Sequence, residues 1–257
     1  MRFEKLDNSK QIKDYLTKVL SRTGGKNSKN SFLFHYSSIK AVCNIIDSGY
    51  LWLSSTDDMN DIFEMNHVQK MIDMPLYFIS FSKNEENMGM YKMYSPDKDG
   101  AILYISYEDA RKITEKEKQD LYIVRDNKIT DELVRADVFW SEVAYKNLKD
   151  DTIRVGGVYN KRIKYPLKDI ELTGYIKLHG WEYEKEVRLF AKIDKMIKKN
   201  EKVALKLPHG IKYNIITSPH FDENLYINEK DILASNNVVI TNSSYKGFVN
   251  INNKKQI

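Results

Sequence analysis

The sequence predicts an α+β fold with a mixed β-sheet core and flanking helices. Segments rich in aromatic and β-branched residues, which favour strands, are interspersed with segments of helical periodicity, and the two kinds do not alternate regularly. No internal repeat and no linker divides the 257 residues, of which 42% are hydrophobic. A chain of this size can bury one sizeable core. We therefore expect one catalytic-type domain over residues 32–241, preceded by a helix and loop at 1–31 and followed by a polar tail at 242–257.

Local composition predicts each element in chain order. In the first part we expect a helix at Gln11–Leu20, a loop at Ser21–Ser31, a strand at Phe32–His35, a helix ending at Ser48, a strand at Tyr50–Leu53, a helix at Asp57–Ile72 and a strand at Pro75–Lys83. The second of these helices is the best defined, because Ser37 or Ser38 suits its N-cap and Gly49 suits the left-handed position after its last turn. In the second part we expect a short helix at Asn84–Tyr94, a strand at Gly100–Ser106, a surface helix at Tyr107–Gln119, strands at Asp137–Lys146, Lys185–Ile193, Lys202–Leu207 and Tyr213–Thr217, a helix at Asp222–Leu233 and a strand at Asn237–Thr241.

Several classes of site are disfavoured by the residue types present. Cys43 is the only cysteine, so the chain forms no intrachain disulfide and no thiolate metal cluster. Its helical spacing with Val42 and Ile46 predicts a buried side chain. The five histidines show no ligand-pair spacing such as H-x-x-x-H, so no metal is expected. The sequence also lacks a P-loop, a G-x-G-x-x-G fingerprint and a G-x-S-x-G motif.

The charge and hydropathy of the sequence indicate the cellular location and the class of partner to expect. The N-terminus has no apolar run of signal-peptide length, and no segment approaches the roughly 20 apolar residues that span a bilayer. We therefore expect a cytoplasmic protein that does not bind membranes. The formal net charge of +5 suits a polyanionic partner such as a nucleic acid. A lysine-rich surface without a partner explains the same charge, and the sequence leaves this alternative open.

A His-Tyr-Ser-Ser tetrapeptide lies where the first strand leads into the capped helix. Turn and cap chemistry accounts for one serine but not for all four residues. We therefore treat His35, Tyr36 and Ser37 as candidate ligand contacts. The alternative is a histidine that only caps or packs at the strand end.

The stretch W-E-Y-E-K-E-V-R brings two carboxylates close together in the sequence. On a strand, Glu184, Glu186 and Arg188 share one face, and Val187 and Leu189 then face the core. The two carboxylates, about 7 Å apart along the strand, repel each other unless a cation offsets them. Arg188 can neutralise one, and the other then has a raised pKa or contacts a substrate. A solvated sheet edge with a salt bridge is the alternative.

Two further groups of residues are candidates for ligand contacts. Ser80 and Ser82 share one face of a predicted strand, where small hydroxyl groups leave room for a ligand and can hydrogen-bond to it. Tyr91 and Tyr94 lie three residues apart on one helical face with Met88, as in an aromatic wall. An ordinary half-exposed strand and a core-packing stripe are the respective alternatives.

Taken in order, these blocks resemble a large bacterial family of unknown function. The family pattern is H-Y-[ST]-S, N-D-P-F-E, a serine-bearing F-S strand, M-W-x-x-Y and W-x-Y-E-x-E-x-R. This chain matches it with HYSS, NDIFE, FISFS, MYKMY and WEYEKEVR, and the resemblance extends over about Phe32 to Leu233. The chain has Ile62 where the family usually has proline, and Tyr91 where it usually has tryptophan.

The same blocks are, more remotely, similar to those of ADP-ribosyltransferases of the His-Tyr-Glu kind. This resemblance implies a split β-sheet core and NAD as the substrate, without a metal. By position it assigns catalysis to Glu186, supported by Glu184, and to His35. It implies NAD binding by His35, Tyr36, Ser37, Ser80, Ser82, Tyr91, Tyr94 and Arg188.

The chemistry of NAD cleavage explains these implied roles. Breaking the N-glycosidic bond develops oxocarbenium character on the ribose, which a carboxylate stabilises most in the transition state. We expect Glu186 to orient the 2′-hydroxyl and stabilise that charge, and Glu184 to position or deprotonate the incoming nucleophile. The N-terminus of the helix after the tetrapeptide suits the pyrophosphate, and His35 suits a ribose hydroxyl. Tyr36 or Tyr91 suits stacking on the nicotinamide.

The expected function is therefore an NAD-dependent ADP-ribosyltransferase, as in bacterial toxins and phage-defence effectors. The basic charge favours RNA or DNA over protein as the acceptor, and a toxin implies a cognate antitoxin as a further partner. Three alternatives stay open. A phosphotransferase on RNA ends would gather arginines such as Arg154, Arg162 and Arg188. A metal-dependent nuclease would prefer lysine to Arg188 two residues after Glu186, and a non-catalytic nucleotide-binding module would use the same cleft.

Overall fold

The structure of the protein is a computed structural model. It describes residues 9–22, 31–55, 76–95, 98–116, 118–149, 152–155, 162–164, 174–194, 197–198, 201–224, 230–236 and 238–245. The helix predicted at Asp57–Ile72 and the NDIFE block lie outside these residues.

Short helices accompany a large proportion of strand. Within the described ranges the α-helices are α1 (Ser9–Thr17), α2 (Val19–Arg22), α3 (Ile39–Ser48), α4 (Met88–Tyr94), α5 (Tyr107–Ile113) and α6 (Lys230–Ser235), and a 3₁₀ helix covers His179–Glu184. Helix α3 confirms the predicted caps, because the Ser38 Oγ accepts a hydrogen bond from the Ala41 N–H at 3.2 Å and Gly49 has a left-handed φ of 71°. None of these helices is long and apolar enough to cross a membrane.

Strands are more abundant than helices among the described residues, and the presence of both confirms the mixed α+β class. They are β1 (Phe32–Ser38), β2 (Tyr50–Ser55), β3 (Leu76–Ser82), β4 (Gly100–Ser106), β5 (Lys118–Arg125), β6 (Lys128–Glu142), β7 (Ala144–Asn147), β8 (Thr152–Val155), β9 (Arg162–Lys164), β10 (Ile176–Leu178), β11 (Glu186–Ile193), β12 (Lys202–Lys206), β13 (Asn214–Thr217) and β14 (Val239–Asn242).

Six strands of the main sheet close into a ring. In the order β11, β6, β5, β12, β2 and β3, each strand is antiparallel to the next, and β3 pairs again with β11. Strands β1, β4, β13 and β14 continue the sheet from β3. Val187 and Leu189 on β11 pack in the main core cluster with Ile79 and Phe81 on β3, as the two-residue period of strands predicts. Cys43 of α3 is buried in the same cluster, as predicted.

A second sheet packs against the ring through an aromatic joint. Its strand order is β10, β7, β8 and β9. Phe190 on β11 stacks with Tyr175, which precedes β10, at 4.9 Å between ring centroids and with Phe139 on β6 at 5.5 Å. Ile12 and Leu16 of α1 are buried in the same cluster. The N-terminal helix therefore contributes to the contact between the two sheets.

The main sheet forks at β3, and this fork positions the candidate site. One edge of β3 pairs with β11 along Leu76–Ser82. The other edge pairs with β1 at Ser82 and with β2 at Phe78 and Tyr77, which leaves Ile79–Phe81 without a strand partner on that edge among the described residues. Helix α3 connects β1 to β2 across the opening.

The middle of the chain differs from the predicted elements. Helix α5 ends at Ile113 instead of Gln119, and β5 and β6 then form a long hairpin, most of which lies between Gln119 and Asp137, where no element was predicted. Its two-residue turn, Asp126–Asn127, has positive φ values of 48° and 58°, as in a type I′ turn. The Asp-Asn dipeptide between residues of alternating polarity is the signal that identifies this hairpin.

Other predicted boundaries also shift. The single helix at Gln11–Leu20 is two helices, and the strand predicted at Asp137–Lys146 is divided between β6 in the ring and β7 in the second sheet. Strands β8, β9 and β10 were not predicted, because each is only three or four residues long. The helix predicted at Asp222–Leu233 is described from Lys230 onward as α6, and residues 225–229 lie outside the described ranges.

Candidate functional site

A cavity of about 800 Å³ opens at the fork of β3. Residues of β1, β2, β3 and α3 line it at the fork, together with residues of β10, β11 and the 3₁₀ helix. Its volume lies within the range of roughly 300–1,000 Å³ that is usual for small-molecule sites. The aromatic and charged side chains in its wall include Trp52, Phe78, Tyr94, Trp181, Asp47, Lys177, Glu184, Glu186, Arg188 and Lys202.

His35 on β1 is held in the fork by the backbone of β3. Its Nδ1 lies 2.8 Å from the carbonyl oxygen of Ser80, and because a carbonyl only accepts, Nδ1 carries the proton. Burial lowers the pKa of His35, against a smaller opposing effect of this hydrogen bond. The imidazole is therefore neutral near pH 7, with Nε2 as an acceptor. His35 borders the cavity, and its role as a ligand contact stays a prediction.

Glu186, the first residue of β11, is buried in a set of hydrogen bonds and ion pairs. Its Oε1 accepts hydrogen bonds from the Ser80 Oγ at 2.5 Å and from the Arg188 Nε at 2.7 Å. Its Oε2 accepts one from the Arg188 Nη2 at 3.0 Å and lies 2.9 Å from the Lys177 Nζ. Burial alone would raise the pKa of Glu186, but the charges of Arg188 and Lys177 hold it far below the usual glutamate range. Glu186 is therefore ionised near neutral pH.

Glu184, the last residue of the 3₁₀ helix, is the second buried carboxylate. Its Oε1 accepts a hydrogen bond from the Tyr94 hydroxyl at 2.5 Å, and its Oε2 accepts one from the Lys177 Nζ at 2.8 Å. Burial raises the pKa of Glu184, and the charge of Glu186 adds to this effect, whereas Lys177 opposes it. Two neighbouring carboxylates with opposite pKa shifts can serve as a fixed anion and a proton-exchanging group.

Lys185 turns the chain between the two glutamates. Its φ of 43° and ψ of 49° lie in the left-handed region, which is uncommon for a residue with a side chain. The strand predicted at Lys185–Ile193 agrees with β11, but the placing of Glu184 on one strand face with Glu186 and Arg188 is wrong, because Glu184 ends a 3₁₀ helix. Even so, the Lys177 Nζ contacts both carboxylates, which places them side by side.

Arg188 confirms the prediction that it neutralises one glutamate. Its guanidinium binds Glu186 with two nitrogens, and its Nη1 donates to the carbonyl oxygen of Gly174 at 2.6 Å. The same group lies over the Phe78 ring at 4.4 Å from the centroid. Arg188 is only 1% exposed, so it acts on a ligand chiefly through Glu186.

Ser80 and Ser82 share one face of β3, as predicted, but only Ser80 is among the described lining residues of the cavity. Ser82 is fully buried, and its Oγ donates to the carbonyl oxygen of Glu184 at 2.6 Å and accepts from the Asn84 N–H at 2.9 Å. Ser82 therefore fixes the end of the 3₁₀ helix. Ser37 borders the cavity, where its carbonyl oxygen accepts from the Ser95 Oγ at 3.0 Å.

Tyr36 and Tyr91 belong to an aromatic cluster beside the cavity. Their rings meet edge to face at 5.4 Å, and their hydroxyls donate to the carbonyl oxygen of Glu85 at 3.2 Å and to the Glu86 Oε1 at 2.8 Å. Tyr36 still borders the cavity, whereas Tyr91 is not among its described lining residues. Of the two tyrosines predicted as an aromatic wall, Tyr94 lines the cavity and Tyr91 packs behind it.

The N-terminus of α3 is hydrogen-bonded within the protein. The Ile39 N–H donates to the carbonyl oxygen of Asp99 at 2.7 Å, and the Ala41 N–H donates to the Ser38 Oγ. The cavity runs beside α3 at Ala41, Asn44, Ile45, Asp47 and Ser48. The helix terminus is thus a weaker anion site than the sequence predicts, because two of its first N–H groups have partners.

Several cavity residues were not predicted as site residues. Trp181 is part of the W-x-Y-E pattern, which is a local signal for it. Nothing in the sequence near Lys177 indicates its place beside the glutamates, because that place depends on the parallel pairing of β10 with β7. Trp52 on β2 and Lys202 on β12 reach the cavity through the closure of the ring. Comparison with known proteins found no matching family model, no matching curated protein and no matching solved structure.

Proposed function

We propose that the protein is an NAD-dependent ADP-ribosyltransferase that modifies a nucleic acid, as a bacterial toxin or phage-defence effector does. The observation that carries the proposal is the pair of buried carboxylates, Glu184 and Glu186, which lie side by side in the wall of one cavity with opposite pKa shifts. His35 borders the same cavity although it lies far earlier in the sequence.

The fork of the main sheet supports the split-sheet fold that the sequence resemblance implies. Strands β1 and β2 pair with different parts of the same edge of β3, β1 at Ser82 and β2 at Tyr77 and Phe78. The opening between β1 and β2 forms part of the cavity. The hydrogen bond from Ser80 to Glu186 supports grouping the serine strand and the late glutamate in one site.

The cavity has room for a substrate longer than a single ring. In the proposed complex, the nicotinamide and its ribose lie near Glu186, and the rest of NAD extends toward Trp52. Trp52 borders the cavity with a flat apolar ring that suits the adenine base. Lys202 in the same wall adds positive charge that suits the pyrophosphate.

The proposed reaction breaks the bond between the ribose C1′ and the nicotinamide nitrogen. The bonding electron pair leaves with nicotinamide, which becomes neutral, while positive charge develops on the ribose. Glu186 is ionised and fixed by Arg188 and Ser80, so it stabilises that charge without reorganising. A nitrogen or oxygen of the acceptor then attacks C1′, and its proton passes to Glu184, whose raised pKa suits a general base.

His35 is suited to hold the ribose during this reaction. Its Nδ1 proton is committed to the Ser80 carbonyl, and its low pKa keeps Nε2 unprotonated. Nε2 can therefore accept a hydrogen bond from a ribose hydroxyl.

The alternative enzymes have less support from the charged residues. Arg188 is bound to Glu186 and Gly174, and the Arg154 Nη1 lies 3.6 Å from the Glu182 Oε2. A phosphotransferase needs arginines gathered around the phosphate, and Arg188 is the one arginine among the described lining residues of the cavity. The Arg162 side chain lies outside the described part of the chain. A metal-dependent nuclease needs several metal-ligating side chains in one place, and the described residues contain no group of three or more His, Cys, Asp or Glu side chains that could hold a metal ion.

The proposal is tested by incubating the purified protein with NAD labelled in the adenylate part and with total RNA, DNA and protein. We expect release of nicotinamide and transfer of label to a fraction that RNase or DNase removes. Glu184→Gln should reduce label transfer at least tenfold, because the general base is lost. Glu108→Gln, an exposed substitution of the same type in the first turn of α5, is the matched control.

Two outcomes would overturn the proposal. One is saturable NAD binding with no nicotinamide release under any acceptor condition, which would indicate a non-catalytic nucleotide-binding module. The other is turnover of an RNA end that needs no NAD, which would indicate a phosphotransferase or a nuclease.

A further inference from the structure

Lys177 joins the second sheet to the two glutamates. It lies on β10 and is 8% exposed. Its Nζ is 2.8 Å from the Glu184 Oε2 and 2.9 Å from the Glu186 Oε2, and it lies over the Trp181 ring at 5.5 Å from the centroid. One ammonium group therefore contacts both carboxylates of the site at hydrogen-bond distance.

The two carboxylates depend on this ammonium group to different degrees. Glu186 has a second cation in Arg188, which binds both its oxygens. For Glu184, the side-chain contacts are the Tyr94 hydroxyl on Oε1 and the Lys177 ammonium on Oε2. Loss of the positive charge at Lys177 should raise the proton affinity of both carboxylates, but Glu186 keeps the charge of Arg188 and stays ionised near neutral pH. Among its described side-chain contacts Glu184 keeps only the uncharged Tyr94 hydroxyl, so Glu184 is the carboxylate whose protonation changes.

The other ionisable groups near Glu184 come from every element packed around it. They are Tyr94 on α4, Tyr183 on the 3₁₀ helix, Lys177 on β10, and Glu186 with Arg188 on β11, with Tyr145 on β7 and His35 on β1 further along the same site. Among these, Lys177 and Arg188 carry the positive charges, and Arg188 is directed to Glu186.

We infer that Lys177 is a positioning residue that keeps Glu184 available as the proton acceptor of the site, while Arg188 and Ser80 hold Glu186 as a fixed anion. This inference rests on the proposed function for its catalytic meaning. The effect of the Lys177 ammonium group on the proton affinity of Glu184 does not require substrate and can be measured in the free protein.

The sign of the effect follows from the contacts. Burial and the negative charge of Glu186 both raise the pKa of Glu184, and the charge of Lys177 lowers it. Replacing the ammonium by an apolar group therefore raises the pKa of Glu184 further. Because a general base acts only when ionised, the acidic limb of the pH–rate profile then moves to higher pH.

The experiment compares wild-type protein with Lys177→Met and Lys177→Arg. The first readout is titration of the glutamate carboxyl carbons by NMR without substrate, with the Glu184 signal assigned by its loss in Glu184→Gln. The second is the pH–rate profile of label transfer from NAD to the acceptor, the step in which Glu184 takes the proton. We expect Lys177→Met to move both the Glu184 titration and the acidic limb upward by about one unit or more, a tenfold change in proton affinity, and Lys177→Arg to restore most of it. Lys192→Met, an exposed lysine on β11, is the matched control.

The two readouts separate this inference from the proposed function. A shift in the Glu184 titration in a protein that never cleaves NAD supports the role of Lys177 and contradicts the proposed reaction. Cleavage of NAD by folded Lys177→Met, with an unchanged Glu184 titration and an unchanged pH–rate profile, overturns the role of Lys177 and leaves the proposed reaction standing. A titration that shifts equally in Lys192→Met also overturns it, because the effect would then be one of net charge.

Discussion

At the scale of single residues, the two glutamates differ in what holds them, and this difference predicts different costs of replacement. Glu186→Gln removes the negative charge that the buried guanidinium of Arg188 binds with two nitrogens, which should lower the free energy of unfolding by about 3 kcal/mol. Glu184→Gln should cost only about 1 kcal/mol, because a neutral amide resembles the protonated form that burial favours. Urea unfolding of both variants measures the difference. Equal costs would contradict the distinction between a fixed and a titrating carboxylate.

The same pair predicts opposite pH dependences of stability. The folded-state pKa of Glu184 is raised. The stability that this shift adds to the folded protein is therefore fully present below the unfolded pKa of about 4.3 and is lost as the pH rises through the folded pKa. The folded-state pKa of Glu186 is lowered, so its contribution is present above about pH 4.3 and is lost as pH falls toward the folded pKa.

We therefore expect the free energy of unfolding of the wild type, compared with that of Glu184→Gln, to decrease as the pH is raised. Compared with that of Glu186→Gln, it should decrease as the pH is lowered. Unfolding free energies measured across the acidic and neutral range check both slopes. Slopes of the same sign for the two variants would show that the assignment of the shifts is wrong.

His35 permits a test that separates packing from ligand contact. In His35→Asn the side-chain amide nitrogen can take the place of Nδ1 and donate to the Ser80 carbonyl, whereas no atom replaces Nε2. We expect a loss of unfolding free energy of less than about 1 kcal/mol and a roughly tenfold loss of NAD affinity, because one hydrogen bond to the ribose is removed. Calorimetric binding and thermal unfolding measure the two effects. In His35→Ala both affinity and stability should fall, and unchanged NAD affinity in both variants would leave His35 with a structural role alone.

At the scale of elements, helix α3 links the two strands that form the fork, so its first turn sets their spacing. Ser38→Ala removes the N-cap hydrogen bond to the Ala41 N–H and should destabilise the protein by about 1 kcal/mol. Ser37→Ala is the neighbouring control and should have little effect on stability, because only its backbone carbonyl accepts a hydrogen bond, from Ser95. Thermal unfolding of the two variants measures the loss of stability in each. A larger loss in Ser37→Ala would place the cap one residue earlier.

The C-terminal segment is connected through Glu86 to helix α4, which carries a residue of the site. The Ser243 Oγ contacts the Glu86 Oε1, and the Ser244 N–H donates to the Glu86 Oε2 at 3.0 Å. Glu86 in turn accepts from Tyr91 on α4, the helix that carries Tyr94. Residues 243–245 belong to the predicted polar tail, and they therefore stabilise α4. The last residue of α4, Tyr94, contacts Glu184.

At the scale of the whole molecule, the site exists only because two sheets meet. Phe190 lies at that joint, fully buried between Tyr175 and Phe139. Phe190→Ala should lower the free energy of unfolding by about 3–5 kcal/mol, and it should also weaken NAD binding, because Lys177 is supplied by the second sheet. Phe190→Leu keeps most of the volume and should cost less than about 2 kcal/mol. Urea unfolding and calorimetry check both. Full NAD affinity in folded Phe190→Ala would show that the second sheet is not needed for the site.

The sequence by itself determined the α+β class, helix α3 with both caps, and the faces of β3 and β11. These features depend on residue types and spacings within a few positions, such as a serine before an apolar helix or alternating serine and apolar residues. The same local patterns identified His35, Ser80, Tyr94, Glu184, Glu186 and Arg188 as candidates, and all six border one cavity.

Only the tertiary structure decided which atoms meet in that cavity. The ring closes through pairings between distant segments, and β10 reaches the site through β7, so no window of sequence contains the contact of Lys177 with the glutamates. The pKa shifts of Glu184 and Glu186 likewise depend on burial and on charges from other strands. Tyr91 and Ser82 had the right spacing but pack outside the lining, because a helical or strand period fixes a face and not what that face meets.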